Sequence, residues 1–376
     1  MELTKVKHWG CISVSRLGYG AMRFPTIDGK IDREPSEAMV DAAFKGGVNY
    51  FDTAYIYLNQ ESESFMGEVL SKYPRDSFYI ATKLPIWLAN QEKDVIKIFE
   101  EQLNRLRVEM IDFYMLHALN GGRWNAAKKL RAMEQLLEEK KKGRIKFLGF
   151  SYHGDLETFK GLVDEFDWDF VQIQINYADY EMIGAKAYFD ILAEKKIPCI
   201  VMEPVRGGFL ADPPPRVSEL MTALDSKLSP AAWAMRWCMD LDNTPVILSG
   251  MSHMDQVEDN LETFKVPKKL SSGEKEMFAS AVDVLKSVKS VPCTACNYCM
   301  DCPYGVDIPG IFSIYNIQQL FGNNFRANAD YKDFLELKKA GDKCINCGQC
   351  APLCPQDIDI PNKLTELHEF LLKVYP

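Results

Sequence analysis

Two blocks of cysteines carry the spacing that most clearly predicts chemistry in this chain. Each block has four cysteines, of which the first three are separated by two residues and the last precedes a proline. Three cysteines at this spacing can bind three corners of a cubane iron–sulfur cluster, and the fourth usually reaches the other cluster. We therefore predict two [4Fe–4S] clusters. The predicted ligands are Cys293, Cys296, Cys299 and Cys354 for the first cluster, and Cys344, Cys347, Cys350 and Cys302 for the second.

Zinc is the alternative occupant of these blocks. A zinc ribbon uses two cysteine pairs for one ion, so two runs of four cysteines that end before proline fit it poorly. The first block has two residues before its last cysteine where the commoner cluster motif has three, which leaves the exchange of the fourth ligand open. The remaining cysteines, Cys11, Cys199 and Cys238, lie in apolar segments and are expected in core packing.

Four polar residues stand at or shortly after the ends of predicted strands: Asp52, Tyr57, Lys83 and His117. A phenol is a poor acid at neutral pH because its pKa is about 10, and a nearby ammonium lowers that pKa. A carboxylate can hold the ammonium, and an imidazole can donate to a carbonyl oxygen. Each residue alone is more often structural than catalytic. Together they predict a site that protonates a carbonyl oxygen while a hydride reaches the carbon.

The elements that must position these residues are short apolar runs that alternate with segments of helical periodicity. The runs cover residues 17–22, 48–53, 78–83, 111–117, 145–151, 170–176, 197–203 and 246–251. Eight strand–helix units favour an α/β fold, the closed (β/α)₈ TIM barrel, whose active sites lie at the C-terminal ends of the strands. A doubly wound open sheet is the alternative, but no Gly-x-Gly-x-x-Gly follows an early strand.

Three segments resemble the tetrad motifs of the aldo-keto reductases: residues 51–57 (FDTAYIY), 81–83 (ATK) and 112–117 (DFYMLH). The resemblance extends from about residue 17 to about residue 261. It implies a TIM barrel that binds NADP(H) in extended form. It also implies that Tyr57 is the general acid, that Asp52 and Lys83 tune it, and that His117 orients the carbonyl.

The same resemblance implies a set of nucleotide-binding residues, from the nicotinamide through the pyrophosphate to the adenosine. They are Ser151, Gln174, Gly208, Gly250, Ser252, Gln256 and Asn260. Arg206 is a further candidate, as a source of positive charge for a phosphate. Two departures leave the nucleotide open. Residues 202–204 (MEP) stand where many members stack an aromatic ring on the nicotinamide, and Gln256 stands where many NADP-preferring members have arginine. NAD or a flavin therefore remains an alternative to NADP(H).

Two domains are expected: residues 1–291 form the barrel with a trailing helix, and residues 292–376 form a small, mostly α-helical, ferredoxin-like domain. The segments 302–309 and 354–361 match each other as an internal repeat, and each continues with the apolar pattern of a helix. A barrel followed by such a domain resembles the aldo/keto reductase subfamily with a C-terminal ferredoxin domain.

Composition limits the partners. A net charge of −9 gives no reason to expect a nucleic acid or an anionic membrane surface, and no apolar run reaches the roughly 18 residues of a membrane helix. We expect a cytoplasmic oxidoreductase with a small carbonyl or alcohol substrate. A redox protein partner is a further expectation, because nicotinamide moves two electrons and each cluster moves one. The alternative is an electron-transfer or redox-sensing subunit, with or without flavin, whose barrel is a docking platform.

Overall fold

The computed structural model describes residues 3–10, 12–265, 268–321 and 324–373. Its strands are β1 (Leu3–Val6), β2 (Ile12–Ser15), β3 (Leu17–Gly20), β4 (Thr26–Ile27), β5 (Lys30–Ile31), β6 (Tyr50–Asp52), β7 (Tyr79–Leu84), β8 (Ile111–Leu119), β9 (Ile145–Tyr152), β10 (Phe170–Gln174), β11 (Cys199–Met202) and β12 (Val246–Ser249). Its helices are α1 (Arg33–Lys45), α2 (Ser62–Leu70), α3 (Glu92–Leu106), α4 (Gly121–Lys129), α5 (Ala132–Lys141), α6 (Leu156–Glu165), α7 (Asp179–Met182), α8 (Ala185–Glu194), α9 (Pro215–Leu224), α10 (Pro230–Asp240), α11 (Met254–Thr263), α12 (Ser272–Ser287), α13 (Ile308–Phe321), α14 (Asn324–Glu336) and α15 (Ile360–Lys373).

Eight parallel strands close into a barrel in the order β10-β11-β12-β3-β6-β7-β8-β9. Each of these strands overlaps one of the eight predicted apolar runs, so the predicted TIM barrel is confirmed. The runs are nearly continuous in apolar residues because a parallel strand is covered on both faces.

Alternate residues of the strands fill the barrel interior, because successive side chains of a strand point to opposite faces. Tyr50, Phe113, Phe147 and Phe170 belong to this interior core together with Trp9. Trp9 follows β1, which pairs with β2 as an antiparallel hairpin, and its indole Nε1 donates to the carbonyl oxygen of Asp169 at 2.8 Å. This hairpin has no clear signal in the sequence, because its strands are short and the partners of Trp9 lie far along the chain.

The same alternation places the polar residues at strand ends. Asp52 lies two residues after the interior Tyr50, and His117 lies four residues after Phe113. Ser151 lies four residues after Phe147, and Lys83 two residues after Ala81. These side chains therefore form an inward-facing layer at the C-terminal ends of the strands.

The chain divides into two compact units, Met1–Pro204 with Ala234–Leu270, and Val205–Trp233 with Ser271–Pro376. The first unit holds all the barrel strands. The second unit adds α9 and α12, which pack against each other, to the segment that begins at residue 292. The division of the chain at residue 291 stays a prediction.

The second unit is helical around its own core. Residues of α13, α14 and α15 pack together, among them Ile311, Phe312, Tyr331 and Leu367. The Tyr331 hydroxyl lies 2.7 Å from His368 Nδ1. The helical character expected for this region is confirmed.

Two further expectations concern buried thiols and membranes. Cys199 and Cys238 are fully buried in apolar surroundings, as expected, and Cys11 lies outside the described residues. Within the described ranges, the helices are too short or too polar to pass through a bilayer.

Candidate functional site

An ion pair between Lys83 and Asp52 lies at the centre of the candidate site. The Lys83 ammonium donates to Asp52 Oδ1 at 2.5 Å and to the carbonyl oxygen of Thr53 at 2.7 Å. Only 1% of Lys83 and 3% of Asp52 is exposed. A buried charge is tolerated only when it is paired and hydrogen-bonded. Asp52, at the end of β6, and Lys83, near the end of β7, therefore hold each other in place.

The other two members of the predicted tetrad adjoin this pair. The Lys83 ammonium lies 4.9 Å from the centroid of the Tyr57 ring. The ring of Tyr57 meets the ring of His117 edge to face, with centroids 5.9 Å apart. The structure therefore brings Asp52, Tyr57, Lys83 and His117 together, although three different strands and one loop carry them.

Burial shapes the protonation of these groups. Burial lowers the pKa of Lys83 and raises the pKa of Asp52, and the attraction within the pair opposes both shifts. Burial lowers the pKa of His117 well below its ordinary value, and Lys83, Arg123 and His153 lower it further. His117 is therefore a neutral imidazole at neutral pH, which can donate one hydrogen bond but is not a strong acid.

Trp87 and Arg123 form one side of the site, beside His117. Trp87, in the single helical turn Ile86–Leu88 after β7, lies 5.2 Å from His117 between ring centroids. The Arg123 guanidinium stacks on Trp87 at 4.3 Å, and its Nη1 donates to the carbonyl oxygen of Ala118 at 2.7 Å. Trp124, on α4 with Arg123, packs against Phe166 and Trp168. Sequence reasoning missed Arg123, because an arginine early in a helix carries no distinguishing pattern.

The two residues expected near the nicotinamide lie at the ends of β9 and β10. Ser151 Oγ accepts a hydrogen bond from the backbone N–H of Ala118 at 2.7 Å. Gln174 Nε2 donates to Asp179 Oδ2 at 2.6 Å, and Asn176 Nδ2 donates to the same oxygen at 2.7 Å. Asp179 is fully buried and was missed by sequence reasoning. It fixes the orientation of both amides.

The residues expected at the adenosine end cluster after β12. Ser252 Oγ donates to the carbonyl oxygen of Arg23 at 2.7 Å, and Gln256 Oε1 accepts from the backbone N–H of Ser252 at 2.8 Å. Asn260 Nδ2 donates to Ser249 Oγ at 3.0 Å. The side chain of Arg23 lies against Gly250, where an added Cβ would be 3.1 Å from its Cδ. Arg23, which sequence reasoning missed, also faces Glu203 at 3.6 Å.

Arg206 and Gly208 lie in the turn Arg206–Gly208, which belongs to the second unit. Arg206 is 6% exposed, and its guanidinium lies 5.4 Å from the Phe209 ring. Gly208 has a φ of +100°, a conformation that favours glycine. Gly207 packs against the cysteine segment, because an added Cβ would lie 2.5 Å from the carbonyl oxygen of Thr294. Sequence reasoning had assigned this turn to the barrel.

The eight clustered cysteines surround two small cavities in the second unit. A cavity of about 20 Å³ is lined by Cys293, Cys296, Cys299 and Cys354. A cavity of about 80 Å³ is lined by Cys302, Cys344, Cys347 and Cys350, and Cys299 reaches its edge. The fourth cysteine of each block thus lines the same cavity as the first three cysteines of the other block. The assignment of these cysteines to two clusters stays a prediction.

The thiols of each set influence one another. Burial, which is the largest cause, and the neighbouring Cys296, Cys293 and Cys354 together raise the pKa of Cys299 to about 12. Burial also raises the pKa of Cys350, and Cys344, Cys302 and Cys347 add to that effect. The sulfur atoms therefore lie close together in the same two groups of four that line the cavities.

Comparison with known proteins identifies the class that this barrel and site define. The model of the aldo/keto reductase family matches residues 16–282, and the model of the 4Fe-4S dicluster domain matches residues 292–358. The chain therefore belongs to the aldo/keto reductase family and carries a 4Fe-4S dicluster domain, which confirms the resemblance.

Individual relatives support the same assignment. L-galactose dehydrogenase of Arabidopsis thaliana is 24% identical over 314 residues, which cover 77% of this chain and 96% of that protein. An aldo-keto reductase of Bacillus halodurans matches with a TM-score of 0.61 at 23% identity over 75% of this chain and 96% of its own. An aldo-keto reductase of Klebsiella pneumoniae in complex with NADPH matches with a TM-score of 0.61 at 18% identity, over 74% of this chain and 95% of its own. The likeness to the two solved structures establishes the fold.

Proposed function

We propose that this protein transfers hydride between NADP(H) and a small carbonyl or alcohol, with Tyr57 as the proton donor and acceptor. One observation carries the proposal. The buried Lys83 ammonium is held by Asp52 at 2.5 Å and lies 4.9 Å from the Tyr57 ring, beside His117. A phenol next to a fixed cation gives up its proton more readily than a phenol in water.

Each residue of the tetrad has a distinct task in this proposal. Tyr57 donates its hydroxyl proton to the carbonyl oxygen as the alcohol forms. Lys83 stabilises the phenolate that remains, and Asp52 keeps the ammonium in place. His117 is neutral, so it donates a hydrogen bond that orients the carbonyl oxygen and does not compete with Tyr57 as the acid.

We propose that six residues of the first unit bind the nucleotide: Ser151, Gln174, Gly250, Ser252, Gln256 and Asn260. NADP(H), when bound, supplies or accepts the hydride. Ser151 and Gln174 stand at strand ends in the same layer as the tetrad, and Asp179 keeps the Gln174 amide oriented. Arg206 and Gly208 remain proposed phosphate contacts through the family resemblance. NAD and flavin stay as alternatives that bound-cofactor identification decides.

We also propose that the protein holds two [4Fe–4S] clusters with the predicted ligand sets. Each set lines its own cavity, and cysteine thiolates are the ligands that such clusters prefer. Cys347 is exposed, and the exposed Ile345 and Leu353 line the same cavity. This surface supports exchange of single electrons with a redox protein partner. A cytoplasmic location fits thiols that must stay reduced.

The decisive experiment compares wild-type protein, purified without air, with Tyr57→Phe. We expect the wild type to oxidise NADPH in the presence of an aldehyde such as para-nitrobenzaldehyde, and Tyr57→Phe to lose roughly 10²–10⁴-fold in turnover. Iron and sulfide content should be equal in the two proteins. Unchanged turnover in Tyr57→Phe would refute the proposed role. A wild type that exchanges electrons with redox proteins but never oxidises NADPH would favour the electron-transfer or redox-sensing subunit.

A further inference from the structure

The loop that carries Tyr57 has an unusual backbone. Leu58, Asn59 and Gln60, between β6 and α2, have φ values of 50°, 53° and 69°. Residues other than glycine disfavour this left-handed region. Three successive residues therefore need contacts with neighbouring groups to keep this backbone conformation. The position of Tyr57 relative to Lys83 depends on those contacts.

Arg105, near the end of α3, makes contacts at both ends of this loop. Its Nη1 donates to the carbonyl oxygen of Tyr55 at 3.4 Å, and its Nη2 donates to Gln60 Oε1 at 3.0 Å. Its guanidinium stacks on the Tyr55 ring at 4.0 Å, and the Tyr55 hydroxyl donates to Glu101 at 2.9 Å. Arg105 thus contacts both ends of the six-residue segment 55–60, which contains Tyr57.

Glu63, in the first turn of α2, connects Arg105 to the strand of Lys83. It is fully buried, and its Oε2 accepts from Arg105 Nη1 at 3.4 Å. Its Oε1 accepts from Thr82 Oγ1 and from Gln102 Nε2, each at 2.6 Å. Gln102 Nε2 also donates to the carbonyl oxygen of Lys83 at 3.0 Å. A buried carboxylate that accepts from three such donors is fixed in place.

A glycine makes this connection sterically feasible. Gly67 lies one turn after Glu63 on α2, and an added Cβ there would lie 2.3 Å from the carbonyl oxygen of Arg105. Helices α2 and α3 therefore approach each other closely enough for Glu63 to reach both Gln102 and Arg105.

We propose that Glu63 and Arg105 are a positioning pair. Together they hold the Tyr57 loop against the strand of Lys83, so that the Tyr57 hydroxyl keeps its position relative to the Lys83 ammonium. This inference rests on the proposed function and extends it to two residues outside the tetrad. Neither residue contacts the reacting atoms. Lys83 itself faces Asp52, Tyr57 and His117, and the charge of Glu63 raises its pKa against the effect of burial.

The test uses full-length, iron-loaded protein with NADPH and para-nitrobenzaldehyde. For Arg105→Met we expect kcat to fall roughly 100-fold, since a small misplacement of a reacting group has that effect, with KM for NADPH and iron content unchanged. Arg105→Lys restores the positive charge but cannot contact the Tyr55 carbonyl oxygen and Gln60 Oε1 at the same time, so its kcat should lie between those of Arg105→Met and the wild type. Glu63→Gln keeps the shape of the side chain and should also lower kcat.

Arg144→Met is the matched control. Arg144 also pairs with a buried carboxylate, Glu139, at 2.9 Å and lies over an aromatic ring, Phe99, at 5.1 Å. It contacts no residue of the Tyr57 loop among the contacts described for it, so kcat should stay near the wild-type value while thermal stability falls as in Arg105→Met. Wild-type kcat in Arg105→Met, together with an inactive Tyr57→Phe, would overturn the positioning pair and leave the proposed function standing. Full activity in both variants would overturn the proposed function itself.

Discussion

The tetrad and the cysteine sets differ in how the protein holds them. The four tetrad side chains are between 1% and 8% exposed, and their contacts come from other protein groups. Seven of the eight clustered cysteines are half-buried and Cys347 is exposed, and they line cavities. The barrel site is therefore preorganised by its own packing, whereas the cysteine sites are completed by what binds in them. Removal of the bound group should therefore destabilise the cysteine region far more than the barrel site.

The largest expected effect is that of iron removal. Chelation under anaerobic conditions should unfold the region of α13–α15, because a bound metal group contributes directly to the folding free energy of a small domain. The barrel should keep its structure. Hydrogen exchange measured by mass spectrometry should show lost protection at residues 292–373 and retained protection in β6–β8. Equal loss of protection in both regions would contradict the comparison.

A pair of cysteine variants sharpens the assignment of ligands. Cys354→Ala should remove the cluster of the first set and Cys302→Ala that of the second, so each variant should retain about half of the wild-type iron. The two remaining clusters should give different electron paramagnetic resonance spectra, because their cavities differ in size and exposure. Loss of the cluster bound by the same block as the mutated cysteine would refute exchanged ligation.

Lys83→Met tests the preorganised site. It leaves the buried Asp52 carboxylate without its partner, which costs about 3–5 kcal/mol of stability in comparable sites. Turnover should fall by roughly 10²–10⁴-fold, as expected when a general acid is disabled. Iron content should not change. The double variant Asp52→Asn/Lys83→Met, which removes both charges, serves as the control. It should recover stability but not activity, and recovered activity would contradict the role of the ammonium.

The smallest expected effect concerns pH. The folded protein disfavours a proton on His117, whereas the unfolded chain binds one as pH falls through about 6.5. The free energy of unfolding should therefore decrease below that pH, by up to about 1.4 kcal/mol per pH unit. His117→Asn should remove this slope in urea unfolding measured at about pH 7 and about pH 5. An unchanged slope in His117→Asn would contradict this prediction.

Much of this molecule could be predicted from sequence because the relevant signals are local. An apolar run bounded by polar residues predicts a strand wherever that run packs, so all eight barrel strands were found. The internal repeat likewise predicted the two helices that follow the cysteine blocks, α13 and α15. Cysteine spacing of two residues matches the geometry of one cluster. The strand ends then placed Asp52, Lys83 and His117 in one layer.

Other features depend on contacts that span long stretches of chain. Arg105 reaches the loop of Tyr57 from about 50 residues away, and Trp9 bonds to Asp169 across 160 residues. The turn Arg206–Gly208 follows a barrel strand in sequence yet belongs with the second unit. No periodicity marks such pairings, because each depends on how whole elements pack.

The sequence by itself determined the alternation of strands and helices, the tetrad types at the strand ends and the spacing of the thiols, since each is set by neighbouring residues along the chain. Only the tertiary structure showed that Cys354 and Cys302 each line a cavity with cysteines of the other block, how Trp87 and Arg123 border His117, and how Glu63 and Arg105 connect the Tyr57 loop to the strand of Lys83. The physical reason is that these arrangements follow from close packing between distant segments, where burial makes every unpaired polar group costly and so selects one set of partners.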